Sequence, residues 1–305
     1  MALALTPFQA LCGFRPLPEI ASFLKKTPEL KSLIPSTILD AFLSICNSST
    51  PTGPEEKGAL KNLFAALMTA PENDIKTQLA QLLRRYHQGT SEDDDQEVVV
   101  LVQRLANQFP DDIGIFCAFV LNFVKLQPGQ AIFLGAGEPH AYVYGGTLSC
   151  VLALVLNCKP SRFFPSECIE CMANSDNVIR AGLTPKLRDI PNLVSGLTYN
   201  ASLPTKHVVN PKRFSDGVSI LYDPPIPEFS VVQVVLDDRG EKETHRPIKG
   251  PSLTIVTKGA GVVSWAGERL EVRKGDVFFV GADIGVKFEC GQDGKLTMYR
   301  AFVEA

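Results

Sequence analysis

The chain has 305 residues, 45% of them hydrophobic and 21% charged, with a formal net charge of −3. That balance fits a globular chain with room for two or more domains and excludes a disordered one. A slightly acidic chain has no bulk attraction for nucleic acid or an anionic membrane, so any phosphate site must be a local cluster of Lys and Arg.

Ala2–Phe14 is mostly apolar and closes on Cys12-Gly13-Phe14. Met1–Ala10 has no basic leader. The expectation is a reducing, cytoplasmic location with eight dispersed cysteines kept as thiols. From Pro18 to Val124 the spacing predicts helices. Ile20, Phe23 and Leu24 recur at helical spacing, as do Leu39, Phe42 and Leu43, then Leu60, Leu63, Phe64 and Leu67, then Ile75, Leu79, Leu82 and Leu83. Asn47–Gly58 reads as a loop. The acidic run Ser91–Glu97 reads as a solvated loop leading into a helix N-terminus, where negative charge is favoured. Ile113–Val124 reads as a last, buried helix.

Leu126–Tyr142 changes character. Pro128-Gly129 marks a turn, Ala131–Leu134 a short buried strand, and His140 falls just past its end. Val272–Ala282 repeats Leu126–Ala136 without a gap: Gly129 matches Gly275, Phe133 matches Phe279, and Gly135-Ala136 matches Gly281-Ala282. This implies two related β domains. The second copy has Val286 at the position of His140, as expected if one domain alone carries a metal.

Gly146–Ser166 is dominantly apolar, yet Leu148–Leu156 is far shorter than the ~20 residues a membrane helix needs. Cys168-Ile-Glu-Cys171 is a lone CxxC without a second pair, which favours structural thiols over a zinc knuckle. Ser175-Asp176-Asn177 has turn composition. Asp189–Leu197 predicts a short helix. Leu203–Pro227, Pro-rich and without clear periodicity, reads as a linker. From Phe229 onward short apolar runs alternate with turns, which is the pattern of a sandwich or barrel.

Three segments, ALTPFQALCGFRP at the start, EPHAY around His140 and ECMANSDNVIRAGLTPK from Glu170, resemble the motifs of type I phosphomannose isomerase. The resemblance runs over nearly the whole chain. It implies an α+β fold of cupin (jelly-roll β) domains, the first incomplete, with an inserted helical domain. The implied boundaries are 1–14 for part of the catalytic cupin, 15–124 for the helical domain and 125–202 for the remaining catalytic cupin. A linker at 203–228 and a C-terminal cupin at 229–305 follow. The family has no counterpart to Gly146–Ser166, which is read here as a retained intron. Met1 resembles an internal methionine of the family, downstream of its other zinc ligands.

The implied activity is interconversion of mannose 6-phosphate and fructose 6-phosphate, on the way to GDP-mannose. The implied cofactor is one zinc ion per chain, with His140 as the one ligand this sequence offers. Arg180 and Glu170 are the catalytic candidates, Arg180 for enediolate or phosphate and Glu170 for proton transfer. Lys186 and Tyr142 are candidates for binding substrate. Each has an ordinary alternative: a salt bridge from Arg180 to Asp176 or Glu170, an exposed strand carboxylate at Glu170, a surface lysine at Lys186, and core packing for Tyr142. His87, His207 and His245 read as solvent-facing. The partner implied is a small-molecule sugar phosphate, with a monomeric protein and neither nucleic acid nor membrane. The competing reading is a catalytically inactive, truncated cupin that lacks most zinc ligands.

Overall fold

The computed structural model describes residues 1–89, 94–144, 167–175 and 178–304. The insert at Gly146–Ser166 and the Asp176 turn therefore lie outside the described residues, as does part of the acidic run. The apolar start of the chain forms strands β1 (Ala2–Ala4) and β2 (Phe8–Phe14), buried along almost their whole length.

Helices α1 (Leu17–Lys26), α2 (Pro28–Ser32), α3 (Ser36–Ile45), α4 (Pro54–Met68), α5 (Glu72–Gln88) and α6 (Gln96–Gln108) follow. Proline opens α1, α2 and α4 at positions where its missing N–H costs nothing. Asp95, from the acidic run, caps α6 by accepting from the Glu97 and Val98 amides. The faces expected from periodicity are the buried ones: Leu39 and Phe42, Leu60 to Leu67, and Ile75 to Leu82. They share one core with Leu11 and Phe14 of β2, so the helical part is anchored directly on the β structure.

Ile113–Val124 is not one helix. A 3-10 turn covers Ile113–Phe119 and strand β3 covers Leu121–Leu126. The open edge of β2 decides this: pairing from Phe8↔Leu126 to Phe14↔Leu121 satisfies backbone groups that a longer helix would leave unmatched on β2.

Strands β4 (Ala131–Ile132), β5 (His140–Tyr144) and β6 (Cys168–Glu170) complete this half, with α7 (Ile190–Gly196) behind them. His140 thus opens a strand of its own and does not trail the preceding one. The Leu203–Pro227 stretch is more than a linker. It holds a 3-10 turn at Pro204–His207 and strands β7 (Val208–Val209), β8 (Lys212–Arg213) and β9 (Ile220–Tyr222). Two sheets result, one ordered β6-β1-β4-β7 and one ordered β3-β2-β5. Ala2, Ala4, Phe8, Ala10, Leu126, Ile132 and Cys168 form the core they share.

The C-terminal half contains β10 (Ser230–Leu236), β11 (Lys242–His245), β12 (Ser252–Trp265), β13 (Glu268–Arg273), β14 (Val277–Val280), β15 (Val286–Cys290) and β16 (Leu296–Phe302). Its sheet runs β11-β15-β12-β16-β10-β9-β8, with β13 and β14 also paired to β12. The apolar runs Leu253–Thr257 and Gly261–Trp265 belong to one strand, bent by a register shift between Val256 and Lys258. The repeat is visible in the backbone: Gly129 and Gly275 take φ values of 85° and 96° in equivalent turns, before β4 and β14 respectively. Leu3, Ala131 and Ile169 pack against Val231, Ile255 and Tyr299, joining the two β halves. No helix among the described residues is long and apolar enough to cross a membrane.

Candidate functional site

Strand β5 pairs with β2, placing His140 opposite Cys12 and Tyr142 opposite Ala10. Two residues apart on one strand, His140 and Tyr142 share a face, and their rings lie 6.2 Å apart. Strand β6 pairs with β1, placing Glu170 opposite Ala2 in the other sheet. Across the gap Tyr142 Oη donates to Glu170 Oε1 at 2.6 Å. Burial, and next the Glu170 charge, push the Tyr142 phenol well above its usual pKa, so it stays a donor. Glu170 is not an exposed strand carboxylate, and Tyr142 packs against the core beside Phe8 with its hydroxyl satisfied by Glu170.

His140 Nδ1 lies 2.9 Å from the Glu138 carbonyl oxygen. A carbonyl only accepts, so the contact favours the proton on Nδ1, and in the neutral ring Nε2 is then the lone-pair nitrogen of this exposed residue. Glu138 is itself buried. Its Oε1 accepts from Thr198 Oγ1 at 3.0 Å and from Lys206 Nζ at 3.3 Å. His207, expected at the surface, is 4% exposed, with Nδ1 held 3.2 Å from the Phe133 carbonyl. Among the described residues His207 Nε2 and Glu138 Oε2 are both buried without a hydrogen-bond partner, and both lie close to Gly13. Burial, reinforced by the Glu138 charge, raises the Cys12 thiol to about 12. Glu138 escaped the sequence reading, although its place two residues before His140 was a usable signal.

His245 is also buried, at 1% exposure, and not solvent-facing: β11 turns it toward Ser219 and Arg300 in the C-terminal core. His87 is exposed as expected.

Arg180 is half-buried and Lys186 exposed, both on the segment after β6. Among the described residues neither side chain makes an ion pair or a hydrogen bond, and the alternative of an Arg180–Glu170 salt bridge is not formed. The structure thus brings His140, Tyr142 and Glu170 together and leaves two cations on an adjoining segment. Cavities of about 260 Å³ beside α1, α5 and α6, and of about 720 Å³ beside His245 and Trp265, are lined by none of these five residues.

His140 Nε2 is a normal metal donor, with its other nitrogen oriented as metal-bound imidazoles require. No group of three His, Cys, Asp or Glu side chains able to hold a metal occurs among the described residues. Cys168 belongs to no such group, and burial raises its thiol to about 12. The described residues therefore offer His140 as a donor and do not complete a catalytic zinc centre, which usually takes three protein ligands.

Residues 39–121 match the model of the phosphomannose isomerase type I helical insertion domain, and residues 219–268 match that of the type I C-terminal domain. The whole chain aligns with the mannose-6-phosphate isomerase of Cryptococcus neoformans at 41% identity, covering 69% of that relative. The chain belongs to the type I phosphomannose isomerase family. The Saccharomyces cerevisiae member is 38% identical, again over the whole chain and 68% of the relative. A Salmonella typhimurium mannose 6-phosphate isomerase bound to fructose 6-phosphate and zinc superposes with a TM-score of 0.74 at 26% identity. It covers all of this chain and 66% of the other. A zinc-bound mannose 6-phosphate isomerase superposes equally, with 65% of its chain covered. The chain thus spans about two thirds of the length of these family members.

Proposed function

We propose that this chain is a mannose-6-phosphate isomerase, interconverting mannose 6-phosphate and fructose 6-phosphate for GDP-mannose synthesis. The observation that carries the reading is the Tyr142–Glu170 hydrogen bond beside His140, in a chain of this family. Isomerisation moves the C2 proton to C1, while the C2 hydroxyl proton passes to the C1 oxygen and the carbonyl shifts from C1 to C2. Glu170 is the group for the carbon-to-carbon transfer: a carboxylate can accept the C2 proton and return it to C1. Tyr142 holds that carboxylate in one orientation. Arg180, with no partner among the described residues, is the cation for the enediolate, where negative charge develops. Lys186 is a point charge for the phosphate. Among the described residues, His140 is the zinc donor of this reading.

A second reading, a cupin without turnover, draws on the absence of a three-ligand metal group among the described residues. One experiment separates the two. The purified chain is assayed for zinc per chain and for conversion of mannose 6-phosphate to fructose 6-phosphate. Turnover abolished by Glu170→Gln supports the first reading. A folded chain without zinc or turnover supports the second.

A further inference from the structure

We infer that Asp112 is a positioning residue for the segment that carries Arg180 and Lys186, clamping it onto the helical insert. The inference rests on the proposed function for its kinetic consequence but not for its geometry.

Asp112 stands at the start of the 3-10 turn Ile113–Phe119. Its Oδ1 accepts from the Gly114 amide at 2.6 Å, which is an ordinary cap. A cap needs nothing more. The same oxygen also accepts from the Leu183 amide at 2.8 Å, and Oδ2 accepts from the Thr184 amide at 3.2 Å. One carboxylate therefore ties together backbone groups from the helical insert and from a segment some seventy positions later.

Three further observations show that the contact is built. A Cβ on Gly182 would lie 2.7 Å from Asp112 Oδ1 and 2.7 Å from Gly114 Cα, so the two glycines permit backbone to meet backbone. Leu183 takes φ 55°, a conformation disfavoured for a residue with a Cβ, and its own amide is one of the two that Asp112 holds. Ala181 and Leu183 pack against the helical core. The tie extends forward, because Thr184 Oγ1 accepts from the Lys186 amide at 3.2 Å. Arg180 thus lies just before the clamped turn and Lys186 just after it. Side chains with no partners of their own are placed by the backbone that bears them.

The test uses the full 305-residue chain. Amide hydrogen exchange of peptides covering 178–188 is measured for the wild type, Asp112→Ala, Asp112→Asn and Gly182→Ala. Asp112→Ala is expected to raise exchange at Leu183 and Thr184 by about tenfold or more while α3 to α5 keep their protection. Asp112→Asn, which keeps one acceptor oxygen, should fall between the two. Gly182→Ala, which forces the backbones apart and leaves the carboxylate intact, should reproduce the loss; it carries the test if Asp112→Ala fails to fold. In turnover, Asp112→Ala should lower kcat about tenfold in the wild type and by clearly less in an Arg180→Ala background, where Lys186 is the cation the clamp still places. Unchanged exchange in both Asp112→Ala and Gly182→Ala overturns the clamp. Raised exchange with an equal kcat loss in the Arg180→Ala background overturns the positioning role. A wild-type chain without turnover overturns the proposed function, and exchange alone then judges the clamp.

Discussion

Tyr142 and Glu170 meet across two separate sheets, the phenol on β5 donating to the carboxylate on β6 at 2.6 Å. A hydrogen bond to a charged group contributes about 1.5–3 kcal/mol. Tyr142→Phe should therefore lower kcat by roughly 10–100-fold, with KM for mannose 6-phosphate changed little. Steady-state isomerisation checks this, and a variant with unchanged kcat would show that the phenol does not orient the carboxylate.

Arg180 makes no ion pair among the described residues, so its removal should leave stability alone and strike activity. Arg180→Ala is expected to reduce kcat/KM by roughly 100–1,000-fold, with a melting temperature within a degree or two of wild type. Arg180→Lys should rescue little, because an ammonium lacks the planar fork of a guanidinium. A large drop in melting temperature in either variant would instead point to a structural salt bridge.

Stability should fall in mild acid because of His245. Burial, and then the neighbouring Arg300, push its pKa down to about 4. An exposed imidazole titrates near ~6.5. Between those values the unfolded chain binds the proton and the folded chain does not. The stability is thus complete above about 6.5 and drains as pH falls toward 4, by about 3 kcal/mol in all. Urea midpoints followed from neutral pH downward should show this slope, and His245→Gln should flatten it.

Gly13 is irreplaceable for two reasons. Its φ is 60°, and a Cβ there would collide with His207 Nε2. Gly13→Ala should cost about 2–4 kcal/mol, from left-handed strain and from displacing a buried ring. Denaturant unfolding measures this directly; a cost of only about 1–2 kcal/mol would mean that the His207 ring swings aside and the left-handed strain alone remains.

Much of the fold could be read from residue spacing, because the helices of the insert each bury one regular face. Leu60, Leu63, Phe64 and Leu67 needed no tertiary information to be placed. The turn at Gly129 was legible for a different reason, since its counterpart at Gly275 repeats the same residues. What escaped were elements whose partners lie far away in the chain. Leu121–Leu126 has the composition of a buried helix end and is a strand because β2 offers it an edge. Val208–Val209 is too short for any periodicity, and with it went the burial of His207. At the site, His140, Glu170 and Arg180 stood out through family motifs. That Glu170 pairs with Tyr142 depends on two sheets facing one another, which no local pattern records.

The position of the helical insert, between β2 and β3, also sets an order of assembly. Phe8 pairs with Leu126 and Ala2 with Glu170, so both sheets of the N-terminal half close only across the whole insert. Contacts so distant in sequence form slowly, whereas helices form from near neighbours. The insert, whose core already includes Leu11 and Phe14, is therefore expected to form ahead of these sheets and to draw the ends of β2 and β3 together. The bond between Tyr142 and Glu170 is then expected among the last to form, which would make the site a late reporter of successful folding.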